Sequence, residues 1–464
     1  MTVLPDTAPR PVRHAHATRP PAGRATRRWV RAAPLLPAVA TVLLLAAPIG
    51  AGDVSASGKL TPADAASAVL VAFCALRALR ARTRPLTAAA ALVLGAPVVA
   101  IAVATVTAAD PAEAVAGFVR YLQVFVLVPT ALVLLLRTRR DFLVVAGSVV
   151  LLALVQGAIG VYQYATGTGA SYVGENIRAV GTFGPSDVMG MATVVAYGLV
   201  IAVGLALAPA APGAPRLLRP AALGCAAALV VPLVLSFSRG TWIATVLACS
   251  VMTVLAGRRQ AVRIFAVTAA AGVVLVGGAG VGSQLISDRV ASITQVTDAP
   301  DSSVTDRYGL WAAATGMWRE RPATGVGLKG FPAHRDGHAA LDLSSGSDTD
   351  GAGQGFAREP LLSPHNMYLL ILSEQGLIGI TLIVGSWAAL LACGLGRLAG
   401  ARRAGRGAEC GLIATGLLLW QCVDFLYADI GGPSTVLTAM LFGLAAAWAL
   451  RPADGTAGGP EVAR

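Results

Sequence analysis

Apolar runs of about 17 to 29 residues alternate along this chain with short polar connections, and a helix of that length crosses a hydrocarbon core about 30 Å thick. The runs fall near residues 33–51, 62–79, 86–107, 115–136, 142–165, 187–210, 218–236, 240–256, 261–283, 367–395, 408–427 and 433–450. The pattern predicts an all-α polytopic membrane protein with about 12 transmembrane helices. Residues 1–31 lack apolar periodicity and read as a disordered basic tail. Residues 32–283 hold the first nine helices, and residues 284–363 form one long loop with short interfacial helices. Residues 364–450 hold the last three helices, and residues 451–464 form a second disordered tail.

Composition sharpens this class. Of 464 residues 55% are hydrophobic and only 13% charged, about half the charged fraction of a soluble protein. Lys and Arg number 36 against 24 acidic residues, a net charge of +12. A basic excess can signal nucleic acid, but here the arginines cluster between apolar runs, at residues 77–84, 137–140, 216 and 219, 258–263 and 397–406. The positive-inside rule explains that better, and no nucleic-acid partner is expected. It makes this side cytoplasmic, with both termini, and the opposite connections extracytoplasmic. Arg27-Arg28 faintly resembles a twin-arginine export signal, but many further spans follow and a retained first helix is expected. The six cysteines lie in or beside apolar runs, without metal-site or disulfide spacing.

Candidate chemistry lies on the extracytoplasmic side. Ser363-Pro364 reads as an N-cap followed by proline at the first helical position, which puts His365 and Asn366 in the first turn. Gly376 and Gly379 then fall near the His365 face, as a stripe for close approach of another helix. The positive end of this helix can hold phosphate and disfavours protonation of His365. Arg178, in a Gly/Pro-rich turn, and Arg239, in the short Ser238-Arg239-Gly240 turn, read as anion ligands or as ordinary interfacial arginines. Residues 305–319 have helical spacing with Arg307, Trp311, Ala314 and Trp318 along one side, an interfacial helix in which Arg307 contacts substrate or Trp anchors alone. Arg120 and Asp424, just inside spans, pair with each other or line the pocket.

Other motifs are weaker. Gly325-Val326-Gly327-Leu328-Lys329-Gly330 matches a dinucleotide fingerprint by letter, but no strand precedes it and no helix is expected after it. His334 and His338 stand at i, i+4 without a third ligand, so no metal and no cofactor is expected. Asp348, Asp350, Gly353 and Glu359 match part of a calcium-loop template, but Ala352 replaces one ligand. This stretch reads as a mobile linker.

His365-Asn366, nine residues, then Gly376-x-x-Gly379 resembles the signature of the bacterial O-antigen ligase and Wzy-type polymerase superfamily. Arg178-Ala-Val-Gly181-Thr-Phe183, Ser238-Arg239-Gly240, and Arg307 to Trp311 followed by Pro322 and Gly325-Val-Gly327 resemble it in the same order. The resemblance covers roughly residues 140–430. It implies a metal-independent, inverting membrane glycosyltransferase of the GT-C type, acting on a polyprenyl-diphosphate-linked glycan donor and a glycan or glycolipid acceptor at the outer face of the cytoplasmic membrane. It further implies that Arg178, Arg239 and Arg307 hold the diphosphate and that His365 activates the acceptor hydroxyl. Asn366, beside His365, and Arg120, inside its span, are expected as further substrate contacts. A ligase joining a finished glycan and a polymerase of repeat units both fit. The competing classes are a transporter or flippase of lipid-linked oligosaccharide and a non-catalytic envelope-assembly protein.

Overall fold

A computed structural model describes residues 33–48, 61–81, 86–172, 175–184, 187–208, 215–273, 302–339, 343, 346–405 and 407–451. Both expected terminal tails, with Arg27-Arg28, and residues 274–301 of the ninth span and long loop lie outside the described residues. The helices are α1 (Ala33–Ala46), α2 (Pro62–Ala81), α3 (Ala88–Val106), α4 (Pro111–Leu135), α5 (Arg139–Thr166), α6 (Gly190–Leu207), α7 (Leu218–Leu235) and α8 (Arg239–Ala256). They continue with α9 (Arg258–Val273), α10 (Ser302–Glu320), α11 (Phe331–His338), α12 (Met367–Ala404), α13 (Ala408–Asp424) and α14 (Thr435–Leu450). Within the described residues every apolar run overlaps one of them. Eight (α2 to α8 and α12) are long and apolar enough to cross a membrane, while α1, α9, α13 and α14 are shorter within the described residues. The chain is a helical membrane protein.

It is not helical throughout. β1 (Ala170–Tyr172), β2 (Glu175–Arg178), β3 (Ser347–Gly351) and β4 (Gln354–Glu359) form an antiparallel sheet in the order β2-β1-β3-β4. Ala170 pairs with Gly351 and Tyr172 with Thr349. The stretch expected as a linker is therefore a hairpin, and its partner strand comes from the connection that carries Arg178. Asp348 and Asp350 sit on one strand of that hairpin and Glu359 on the other, where an EF-hand needs a single loop.

The two sets of connections collect at opposite ends of the bundle. At the arginine-rich end Arg139 pairs with buried Glu409, Arg402 donates to the Ala256 carbonyl at 3.1 Å, and Arg451 donates to the Arg137 carbonyl. Within the bundle an aromatic cluster knits the helices together: Phe125 of α4, Trp387 of α12, Phe425 after α13 and Phe442 of α14 pack in pairs with centroids 5.1–6.3 Å apart.

α12 is broken. At Gly376 the backbone takes φ 62°, ψ −158°, a conformation essentially confined to glycine, and the helical ladder stops. The carbonyls of Ser373 and Glu374 then accept from the N–H groups of Val326 and Gly327, at 2.9 and 3.0 Å, in place of residues four further on. The freed N–H groups of Leu377 and Ile378 donate to the carbonyls of Pro322 and Ala323, at 2.9 and 3.1 Å. Four orphaned groups thus meet four partners from one connection, where each left bare would cost about 1–3 kcal/mol. Gly376 is not part of a helix-packing stripe, and residues 325–330 have a use unrelated to phosphate. A Cβ on Gly325 would stand 2.4 Å from the Ser373 carbonyl oxygen. A helix, α11, does open after Gly330, contrary to expectation.

Gly376→Ala would set its Cβ 2.4 Å from the Ala323 carbonyl and require a conformation alanine avoids. We expect it to cost about 3 kcal/mol or more and to abolish recovery of monodisperse protein in detergent. Gly385→Ala, nine residues on with no atom within 4 Å of its Cβ, should be recovered normally in the same size-exclusion assay.

Candidate functional site

His365 is not in a helical turn. α12 begins at Met367 with Asn366 as its N-cap, the Asn366 side-chain Oδ1 accepting the Leu369 N–H at 3.0 Å. His365 therefore precedes the helix, at φ 48°, a left-handed conformation that histidine tolerates better than most residues. The turn is tied on three sides. The Trp311 indole N–H donates to the Pro364 carbonyl at 2.9 Å, Ser363 Oγ donates to Asp429, and the Met367 N–H lies 2.9 and 3.0 Å from the carbonyls of Phe425 and Ala428. The Asn366 amide nitrogen donates to the Leu426 carbonyl at 3.2 Å, so both ends of this side chain hold the turn.

Electrostatics follow from that packing. Burial, more than any other cause, holds the His365 imidazole below its ordinary pKa; Arg307 pushes the same way and Asp429 opposes both. The ring is therefore neutral near pH 7, with a cation from α10 and a carboxylate from the α13–α14 connection beside it. α10 is the helix expected from the spacing. Its buried face is Leu310, Ala313, Ala314 and Met317, packed on α12, with Trp311 half-buried at the edge.

Arg178 and Arg239 reach the same end of the bundle from two further connections. Arg178 ends β2, and the Ala179 N–H after it donates to the Leu235 carbonyl at 3.4 Å, joining this segment to the turn that opens α8. Arg239 is the first residue of α8, behind the N-cap Ser238. Next to it, Gly240 packs against Tyr427, two residues from Asp429. All three arginines are half-buried and engage neighbouring groups. Arg120 lies elsewhere: it pairs with Asp64 of α2 and donates to Gln123 at 2.9 Å, so its partner is Asp64 and not Asp424. His334 and His338 each bring Nδ1 to a backbone carbonyl at 2.9 Å. Among the described residues no cluster of three or more His, Cys, Asp or Glu is arranged to hold a metal.

Several residues of the site escaped the sequence reading. Gln163 accepts from the N–H groups of Val180 and Gly181 and donates to the Gly181 carbonyl at 2.8 Å, while Gln156 donates to Thr182 Oγ1 at 2.6 Å. Two glutamines seven apart in an apolar helix share one face, which was the available signal. Asp429 gave none beyond lying in a connection expected to be extracytoplasmic.

Residues 224–384 match the family model described as O-Antigen ligase. This part of the chain is similar to the O-antigen ligase family. The matched segment contains Arg239, Arg307, His365 and the break at Gly376, and it ends before Asp429; Arg178 and Arg120 precede it. The resemblance read from the His-Asn and Gly-x-x-Gly spacing is borne out. No curated protein matches the chain.

Asp187 locks the connection that carries Asp429. Its buried carboxylate accepts the Ser434 N–H at 3.2 Å and fills the space against Gly432 and Gly190. Burial pushes this carboxyl up from 3.8 to about 6, against the pull of hydrogen bonds from Ser434 and Gly190. The folded pKa is the higher one, so the contribution to stability is fully present below 3.8 and is lost as pH rises through about 6, by at most ~3 kcal/mol. Asp187→Asn keeps an acceptor for Ser434 without the buried charge. It should flatten the fall in melting temperature between pH 5 and 7.5 and raise the value at 7.5; an unchanged pH dependence would contradict this.

Proposed function

We propose that this protein is a membrane glycosyltransferase that moves a glycan from a polyprenyl-diphosphate donor to an acceptor hydroxyl at the extracytoplasmic face of the cytoplasmic membrane. The full bundle has about 12 spans, in the manner of GT-C enzymes, with the long connection and both halves of the sheet outside. The observation that carries this reading is the meeting of neutral His365 with Arg307 and Asp429 at the end of the bundle remote from the arginine-rich connections. The match of residues 224–384 to the ligase family supports it.

The chemistry follows from those groups. The acceptor oxygen attacks the anomeric carbon while His365 takes the hydroxyl proton, and the bond from that carbon to the diphosphate oxygen breaks with inversion. Neutral imidazole is the competent form of the base. Asp429 stabilises the imidazolium as it forms. Negative charge grows on the departing polyprenyl diphosphate, and Arg307, Arg239 and Arg178 stand to compensate it, a role for which guanidinium is well suited. Asn366 shapes the His365 turn instead of touching substrate. Arg120, paired with Asp64, joins α4 to α2.

A broken helix is also a transporter feature, which bears on the flippase alternative. In transporters the unwound backbone groups and half-helix ends face the substrate. Here the four groups released at Gly376 are taken by the connection after α10, so the break fixes a scaffold and offers no translocation site.

Removing a general base costs about 10²- to 10⁴-fold in rate. With purified protein and lipid-linked glycan, His365→Ala should lose that factor in kcat at unchanged donor affinity. Arg307→Ala should worsen both kcat and donor KM. The unmodified enzyme should lose rate on an acidic limb below the ordinary histidine pKa of 6.5. Transfer by His365→Ala at more than about a third of the unmodified rate, far above what loss of a base allows, would defeat the assignment.

A further inference from the structure

Glu374 lies two residues before the break in α12 and is only 2% exposed, a costly place for a carboxylate unless something uses it. Its Oε1 accepts the N–H of Phe331 at 3.2 Å. Phe331 is the first residue of α11, whose own N-cap position, Gly330, supplies no side-chain cap. Glu374 therefore caps that helix from another helix. Lys329, immediately before, has a left-handed backbone at φ 61°, and its stem reaches across to Gly117 of α4, where its Cγ stands 2.8 Å from the site of a Cβ. The Leu328 N–H donates to the Ala104 carbonyl of α3 at 2.9 Å. The connection after α10 is thus fixed to α3, α4 and α12, and Glu374 is the one side chain of α12 with a hydrogen bond to it among the described residues.

This connection continues α10 directly: the Arg321 N–H still donates to the Met317 carbonyl and the Gly325 N–H to the Arg321 carbonyl. α10 carries Trp311, which holds Pro364, and Arg307, which acts on His365. A rigid helix anchored at its C-terminal end transmits that anchor along its axis. We propose that Glu374 is a positioning residue: by holding the residue 322–331 connection on α12 it sets the register of α10, and with it the reach of Arg307 toward the donor diphosphate beside His365. The inference rests on the reading of Arg307 as a diphosphate ligand, while the anchoring itself does not.

The test uses the full chain in lipid nanodiscs with four variants: Glu374→Gln, Glu374→Ala, Arg307→Ala and the double Glu374→Ala/Arg307→Ala. Glutamine retains an acceptor for the Phe331 N–H and should keep donor KM within about two-fold. Alanine should raise donor KM by about ten-fold with a smaller effect on kcat, because anchoring acts on ground-state placement. In the Arg307→Ala background it should add no further rise, the signature of two residues acting through one contact. Hydrogen exchange, which needs no activity, should accelerate at residues 325–331 and along α10 in Glu374→Ala and not in Glu374→Gln. Should Glu374→Ala fail to fold, Glu374→Asp, one methylene too short, carries the same expectations. Equal KM effects in both backgrounds, or unchanged exchange, would overturn the proposal. If Arg307→Ala alone leaves donor KM unaltered, the functional reading fails, and the register claim then stands or falls on the exchange result.

Discussion

Four backbone hydrogen bonds across the break in α12 hold the rest of the site in place. Within a membrane no water answers an interrupted ladder, so a broken helix persists only where protein supplies the missing partners. Residues 322–327 supply two carbonyls and two N–H groups in alternation with those released at Gly376. Geometry dictates much of the sequence here. Gly376 is needed for its dihedral angles, and Gly325 because another backbone passes 2.4 Å from where a side chain would begin. Once this joint is made, α10 lies over the first half of α12, and its Trp311 reaches the turn that carries His365.

A second constraint meets the first at that turn. Asn366 caps α12 and also holds the end of α13, and Ser363 binds Asp429 in the connection that follows. Asp187 secures the same connection from the start of α6. His365 thus sits between two independently anchored segments, one bringing a cation and the other a carboxylate. Its left-handed backbone is sustained because the residues on both sides are fixed. A half-buried neutral base between opposite charges is suited to accept a proton and then hold the resulting cation.

The helices were legible because a hydrocarbon environment imposes length and polarity on every span, and the ends of the bundle were legible because arginine marks one of them. Arg307, Trp311 and Ala314 were visible through helical spacing, and His365 through its place just after Ser363-Pro364 at the head of an apolar run. What stayed hidden depends on long-range pairing. The two glycine motifs, at 325–330 and at 376–379, each suggested a local use, close helix packing or a phosphate loop. They are the two halves of one joint, about 50 residues apart in sequence, and local patterning carries no record of such a pairing. The Ser/Gly/Asp-rich hairpin looked like a linker because Thr349 is the one β-branched residue in its strands; they pair with a connection about 180 residues earlier. Ser363-Pro364 imitated a helix start because the proline rule is satisfied there, yet Asn366 is the better-placed cap. Arg120 found Asp64 instead of Asp424 because partner choice inside a bundle follows helix adjacency, which hydropathy does not encode.

The central claim is that these groups break one bond and make another. Its most direct test is to reconstitute the purified chain with a polyprenyl-diphosphate-linked glycan of known anomeric configuration and an acceptor, then follow the free lipid diphosphate and the product linkage together. One polyprenyl diphosphate should be released for each new glycosidic bond, with inverted configuration at the transferred carbon. Movement of intact lipid-linked glycan across the bilayer without diphosphate release, or a product of retained configuration, would contradict it.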